Sequence, residues 1–181
     1  MEENKEFALN IKTIENDVFF TTFGKNSRIE LKNCLSIDKI GILIQKFNDS
    51  KVQTACVTTF VDSSKALVLA QDILSGRLAK IASSKPELET LYESQGGKKD
   101  KDGKIIYRSF RISHGKKWLF SNYSGPGKVT STGGYAAAGE FTQKVSIGLD
   151  NESLKAIALK IQAEYQAYRT VQIIKELKKG K

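Results

Sequence analysis

The residues that most often carry catalysis are poorly placed here to do so. His114 is the only histidine of 181 residues and falls at a predicted turn, so neither a His-based zinc site nor Ser-His-Asp chemistry finds partners. Cys34 and Cys56 lack CxxC spacing and read as buried, reduced thiols. Asp17, Glu30, Asp38, Asp62 and Asp72 are scattered, and each suits a helix cap or a surface charge better than a metal cluster. The stretch SGPGKVTSTGG suggests a phosphate cradle. A P-loop with its Gly-Lys at Gly127 and Lys128 would need glycine where Asn122 stands and Ser or Thr where Val129 stands. The sequence therefore predicts no enzyme, no catalytic residues, no metal and no cofactor.

What it does gather is cations and flat rings. Between Gln95 and Tyr135 lie nine of the chain's 29 basic side chains against two acidic ones, Asp100 and Asp102, a local +7 within a formal +9. The same window holds Tyr107, Phe110, Trp118, Phe120, Tyr123 and Tyr135. Cations alternating with rings along strands can hold a phosphate backbone while bases stack. If His114 and Gly115 form a two-residue turn, one face of the hairpin carries Tyr107, Arg111, Lys116, Trp118 and Phe120. The opposite face then collects Ile106, Phe110, Ile112, Leu119 and Tyr123, with Arg108 and Lys117, and packs on the core. The predicted stacking groups are Tyr107, Trp118, Phe120 and Tyr135. Lys98, Lys99, Arg108, Arg111, Lys116, Lys117 and Lys128 are the predicted phosphate contacts. A plainer reading stands beside this one, with Trp118 and Phe120 as core residues and the lysines as a solvated rim.

These residues need a frame. VFFTTF (18–23) and SRIELKN (27–33) read as a hairpin, and Ser36 opens a segment whose Ile37, Ile40, Ile44 and Phe47 predict a helix. A strand at 52–61 follows, then a helix capped at 62–64 that carries Leu67, Ala70, Leu74, Leu78 and Ile81 and ends near Ser83. The second half reads as antiparallel: strands at 88–94, 104–113 and 116–123, a charged loop at 96–103, a flexible small-residue loop at 124–139, and a strand at 141–149. A long helix, capped by Asp150 or Asn151, closes the chain with Leu154, Ile157, Ile161, Tyr165 and Tyr168 as its apolar stripe. No internal repeat is visible. The expectation is one α+β domain over 1–181, a bent antiparallel sheet with helices packed on one side and a long C-terminal helix.

The apolar runs are shorter than the ~20 residues a membrane helix needs, and the start at Met1, Glu2, Glu3 shows no signal or transit pattern. A cytoplasmic protein with no membrane partner is expected. The ending FTQKVSIGLDNESLKAIALKIQ, a strand leading straight into a helix, resembles that of Whirly and Pur-type single-stranded DNA-binding domains, mainly over residues 104–170. The resemblance implies sequence-tolerant binding of single-stranded DNA, ahead of RNA, across a sheet face by a homo-oligomer. A replication or recombination protein encoded by a phage or plasmid, acting in the host cytoplasm, would fit. The rival expectations are a scaffold or assembly protein whose charge serves solubility, and a metal-dependent nucleic-acid enzyme.

Overall fold

Isoleucine spacing misleads in the first half. The structure, a computed structural model describing residues 18–179, opens with four antiparallel strands paired in chain order. They are β1 (Val18–Gly24), β2 (Ser27–Cys34), β3 (Lys39–Phe47) and β4 (Gln53–Asp62). The helix expected from Ser36 to Phe47 is instead one 3-10 turn, Leu35–Ile37, followed by β3. Asp38, left-handed at φ 56°, ends the turn. Ile40, Ile42 and Ile44 share one face, and every residue from Ile40 to Gln45 is buried. A strand covered on both sides loses the period-two alternation that would have marked it, while its β-branched residues suit the sheet.

The helix expected through Ser83 is two, α1 (Ser63–Leu74) and α2 (Arg77–Ser83). The break falls at Gly76, whose φ of 78° only glycine adopts without strain. Asp62 makes no capping bond. Its carboxylate pairs with Lys39 and, at 3.2 Å, with Lys65, and the Lys39 hydrogen bond foremost holds its pKa below the ordinary range despite partial burial.

A second sheet follows, with β5 (Thr90–Lys99), β6 (Ile105–His114), β7 (Trp118–Val129) and β9 (Gln143–Leu149) side by side, and β8 (Tyr135–Ala137) paired to the far end of β7. The charged loop shrinks to a turn. Asp100 closes it by accepting the backbone N–H of Asp102 at 2.9 Å and of Lys104 at 2.8 Å. The expected loop at 124–139 is largely paired backbone, since 124–129 continue β7 and 135–137 return as β8. The 29-residue α3 (Asn151–Lys179) is capped by Asp150, which accepts the Ser153 N–H at 2.8 Å. That bond, more than any other cause, depresses the Asp150 pKa.

The protein is thus α+β, with two antiparallel sheets and a long C-terminal helix. Each sheet is followed in the chain by helix: four strands lead into α1 and α2, and five lead into α3. β4 passes within reach of β5, β6, β7 and β9, and β9 within reach of β1 to β4. Such mutual crossing requires the two sheets to pack at a steep angle. Between them lie Ile29, Leu31, Ile42, Ile44 and Val57 of the first sheet, with Phe110, Ile112, Trp118, Phe120, Val145 and Ile147 of the second. Ala66, Leu69, Ala70 and Ile73 of α1, and Leu154, Ile157, Ala158 and Ile161 of α3, complete this core. One polar side chain sits at the crossing. Asn122, fully buried, donates to the carbonyls of Ile42 and Val57 and accepts from Thr59 Oγ1, each at 2.8 Å.

Candidate functional site

The register of the β6–β7 hairpin decides what its surface can do. His114 stands opposite Trp118, so the turn is the three residues Gly115 to Lys117, and Arg111 faces Ser121 rather than Trp118. One added turn residue exchanges the faces of β7 relative to β6. Trp118 and Phe120, expected as exposed stacking rings, are 3% and 1% exposed and lie in the core with Phe110 and Ile112. The Trp118 indole donates its Nε1–H to Asn151 Oδ1 at 2.7 Å, tying β7 to the start of α3. Tyr123, expected on the core side, takes the opposite face.

That opposite face turns away from the first sheet. Tyr107, Ser109, Arg111 and Ser113 of β6 share it with Leu119, Ser121, Tyr123 and Gly125 of β7, and with Lys144, Ser146 and Gly148 of β9. Its small residues form a floor on which rings collect. Phe141 lies over it, its ring 5.0 Å from that of Tyr123 and stacked at 5.9 Å on that of Tyr107. Gly125 permits this: a Cβ there would sit 2.9 Å from Glu140 O and from Phe141 Cα. On the other flank the Tyr135 ring rests on Gly97, where a Cβ would come within 2.8 Å of Cγ. Tyr107 is consequently buried beneath its neighbours rather than offered to a ligand.

Two cations border the rings. The Arg111 guanidinium carbon is 4.7 Å from the Tyr123 centroid and 5.5 Å from that of Phe141, and Lys144 Nζ is 5.3 Å from Tyr123. Both distances to Tyr123 lie within cation–π range. Arg111 is held by Nε donating to Glu93 Oε1 at 3.0 Å, and Ser109 Oγ donates to the same oxygen at 2.7 Å. Burial raises the Glu93 pKa, but the bonds from Ser109, Arg111 and Gln95 outweigh it and leave the carboxyl below its ordinary range. Glu93 therefore remains anionic and fixes the guanidinium edge while the guanidinium face meets the rings.

The other predicted cations disperse. Arg108 points to the inner side, where Nη1 donates to the Thr58 carbonyl at 2.9 Å, and its buried Nε has no partner among the described residues. It joins Lys98, Lys39 and Phe60 in a cleft of about 260 Å³ between β4 and β5. Lys99 is exposed on β5, Lys116 and Lys117 lie in the β6–β7 turn, and Lys128 is exposed on the β7–β8 hairpin. The face thus brings together Tyr107, Arg111 and Tyr135 of the predicted set and excludes Trp118, Phe120 and Arg108. Sequence reading missed Tyr123, Phe141 and Lys144 as site residues. The signal was present: a three-residue turn places Phe110, Ile112, Trp118 and Phe120 on one face, a better apolar grouping than the two-residue turn provides.

Among the described residues, no three His, Cys, Asp or Glu side chains gather as metal ligands. Cys34 and Cys56 are thiols whose pKa burial raises. No described helix is long and apolar enough to cross a membrane. No family model, curated protein or solved structure matches the chain.

Proposed function

We propose that the protein is a non-enzymatic, sequence-tolerant single-stranded DNA-binding protein of replication or recombination. The observation that carries this reading is the outer face of the second sheet, where Tyr123 and Phe141 stand between Arg111 and Lys144 on a floor of serine and glycine. Every base has a π-face, so stacking on these rings needs no sequence, and the flanking cations meet the phosphates. Half-buried Ser146 adds a neutral hydrogen-bonding group beside them, while Ser109 and Ser121, both buried, hold Glu93 and Ser146 in place. The likeness to Whirly and Pur-type domains belongs to this proposal, supported by β9 leading straight into α3 over residues 143–179.

Fluorescence anisotropy with labelled oligo-dT, competed by duplex DNA and by RNA at several salt concentrations, tests it. Single strands should compete far better than duplex, and Tyr123→Ala should weaken binding about 5- to 150-fold, the equivalent of ~1–3 kcal/mol for one stacked base. Equal competition by duplex would reduce the face to a generic basic surface. Metal-dependent cleavage of the strand would make the protein an enzyme.

One further observation favours an assembly role alongside. Ile173, Ile174 and Leu177 are exposed on the last turns of α3, Leu177 by 69%, a patch suited to contact with other chains.

A further inference from the structure

A second concavity, of about 240 Å³, opens where β9 meets the β1–β2 turn. Lys25 and Ser27 reach it from that turn, Lys46 from the end of β3, Lys117 from the β6–β7 turn and Ser146 from β9. Segments far apart in sequence thus bring three lysines and two serines together, and no acidic residue lines the depression. Among the described residues, none of the three lysines forms an ion pair. Two acids act at its margin: Asp49 accepts from Nδ2 of Asn26, a lining residue, at 3.1 Å, and Asp150 interacts with Lys117 through space.

The depression continues the ring-bearing face. Lys144, Ser146 and Gly148 alternate onto the same side of β9, and four residues of strand span ~13 Å. Ser146 Oγ lies 2.8 Å from Ser121 Oγ, midway along this track. The stem of Lys117 packs over Gly148, where a Cβ would be 3.6 Å from Lys117 Cδ. Three lysines around one depression, none of them in an ion pair among the described residues, raise a local positive potential, which a multi-oxygen anion relieves while accepting from several donors at once.

We propose that this depression binds a phosphodiester group of the same single strand whose bases lie on Tyr123 and Phe141, an inference that rests on the function proposed above. The strand runs from the rings across Ser146 and Gly148 into the lysines. The contact reads no sequence and fixes where the backbone leaves the sheet.

The test compares two triple variants by oligo-dT anisotropy across a salt series. K25Q/K46Q/K117Q removes the depression's charge, and K80Q/K155Q/K160Q removes the same charge from exposed helical positions. The first should lower affinity and flatten the log–log salt slope by ~0.7 for each phosphate no longer neutralised, while the second should keep the wild-type slope. Gly148→Glu, which places a carboxylate beside Lys117 and removes no lysine, should weaken binding as well. Inorganic phosphate, which offers the same oxygens without the stacked bases that tether a strand, should compete slightly better than chloride at equal ionic strength but only weakly. Equal effects of the two triples, or Gly148→Glu binding as wild type, would overturn the subsite while Tyr123→Ala still judges the stacking face. Strong competition by inorganic phosphate would make it a free-anion site instead. A wild-type protein that binds no oligonucleotide would overturn the subsite and the proposed function together.

Discussion

Replacing Asn122 by alanine should damage the protein more than any single change on its exposed sheet face. The carboxamide makes three hydrogen bonds of 2.8 Å across the sheet crossing, to Ile42 O, Val57 O and Thr59 Oγ1, in a fully buried position. At ~0.5–1.5 kcal/mol net for each bond, the loss is about 1.5–4.5 kcal/mol. For a domain of this size, a loss of ~3 kcal/mol lowers Tm by roughly 6–12 °C. Urea denaturation followed by the fluorescence of Trp118, the only tryptophan, measures it directly. The midpoint should fall with the m-value unchanged, because no surface exposed on unfolding is added or removed at this scale. Ser121→Ala, next along the strand but on the outer face, removes one bond to Ser146 and should cost about 1 kcal/mol or less. Asn122→Asp should be worse than alanine near neutral pH, since a buried carboxylate would face two carbonyl oxygens. A loss below ~1 kcal/mol for Asn122→Ala, or an aspartate variant as stable as wild type, would refute this role for Asn122 in joining the sheets.

Further outcomes follow from the same geometry. Trp118 emission should stay unchanged when oligo-dT saturates the protein, because the indole is buried and bonded to Asn151; quenching would place it at the ligand. Gly125→Ala should destabilise by ~1–3 kcal/mol and weaken oligo-dT binding, as the new methyl meets the backbone of Glu140 and Phe141 and lifts the Phe141 ring; urea midpoints and anisotropy check both. Glu93 has a folded pKa below its ordinary value, so its contribution to stability is present above about pH 4.3 and lost as pH falls through the lower folded value. Glu93→Gln should therefore flatten the acid limb of the stability–pH curve, and a limb as steep as wild type would deny the Ser109 and Arg111 bonds their role.

Much of the second half is legible in the sequence, and of the errors there the hairpin turn is the smallest in residues and the largest in effect. Strand β6, the helix α3 with its Asp150 cap, and the alternation in both hairpin arms all follow from period-two and period-3.6 patterns. Turn chemistry alone does not fix the turn length, because Gly-Lys-Lys and His-Gly are both acceptable; only the apolar grouping of Phe110, Ile112, Trp118 and Phe120 favours the longer turn. One residue of register moves Trp118 inward and Tyr123 outward. β3 hides for another reason: burial on both faces erases alternation, leaving Ile40 and Ile44 at a spacing that a helix shares. The site's remaining members lie beyond any local pattern. Phe141 joins Tyr107 and Tyr123 only because the chain crosses Gly125 closely, and Lys25, Lys46 and Lys117 meet only through the crossing of the sheets.

That crossing also governs how the chain is made. The inner face of the first four strands is covered in large part by β9, whose last residue is Leu149, and by α3 beyond it. A growing chain that has emerged only through α2 presents Ile29, Leu31, Ile42 and Ile44 with most of their partners not yet synthesised. Contacts so distant in sequence make for slow, late-closing folding and leave an apolar sheet face open to association meanwhile. The two sheets therefore do not form two independent halves. A fragment ending at residue 83 should aggregate on its own, and supplying residues 84–181 as a second chain should rescue it.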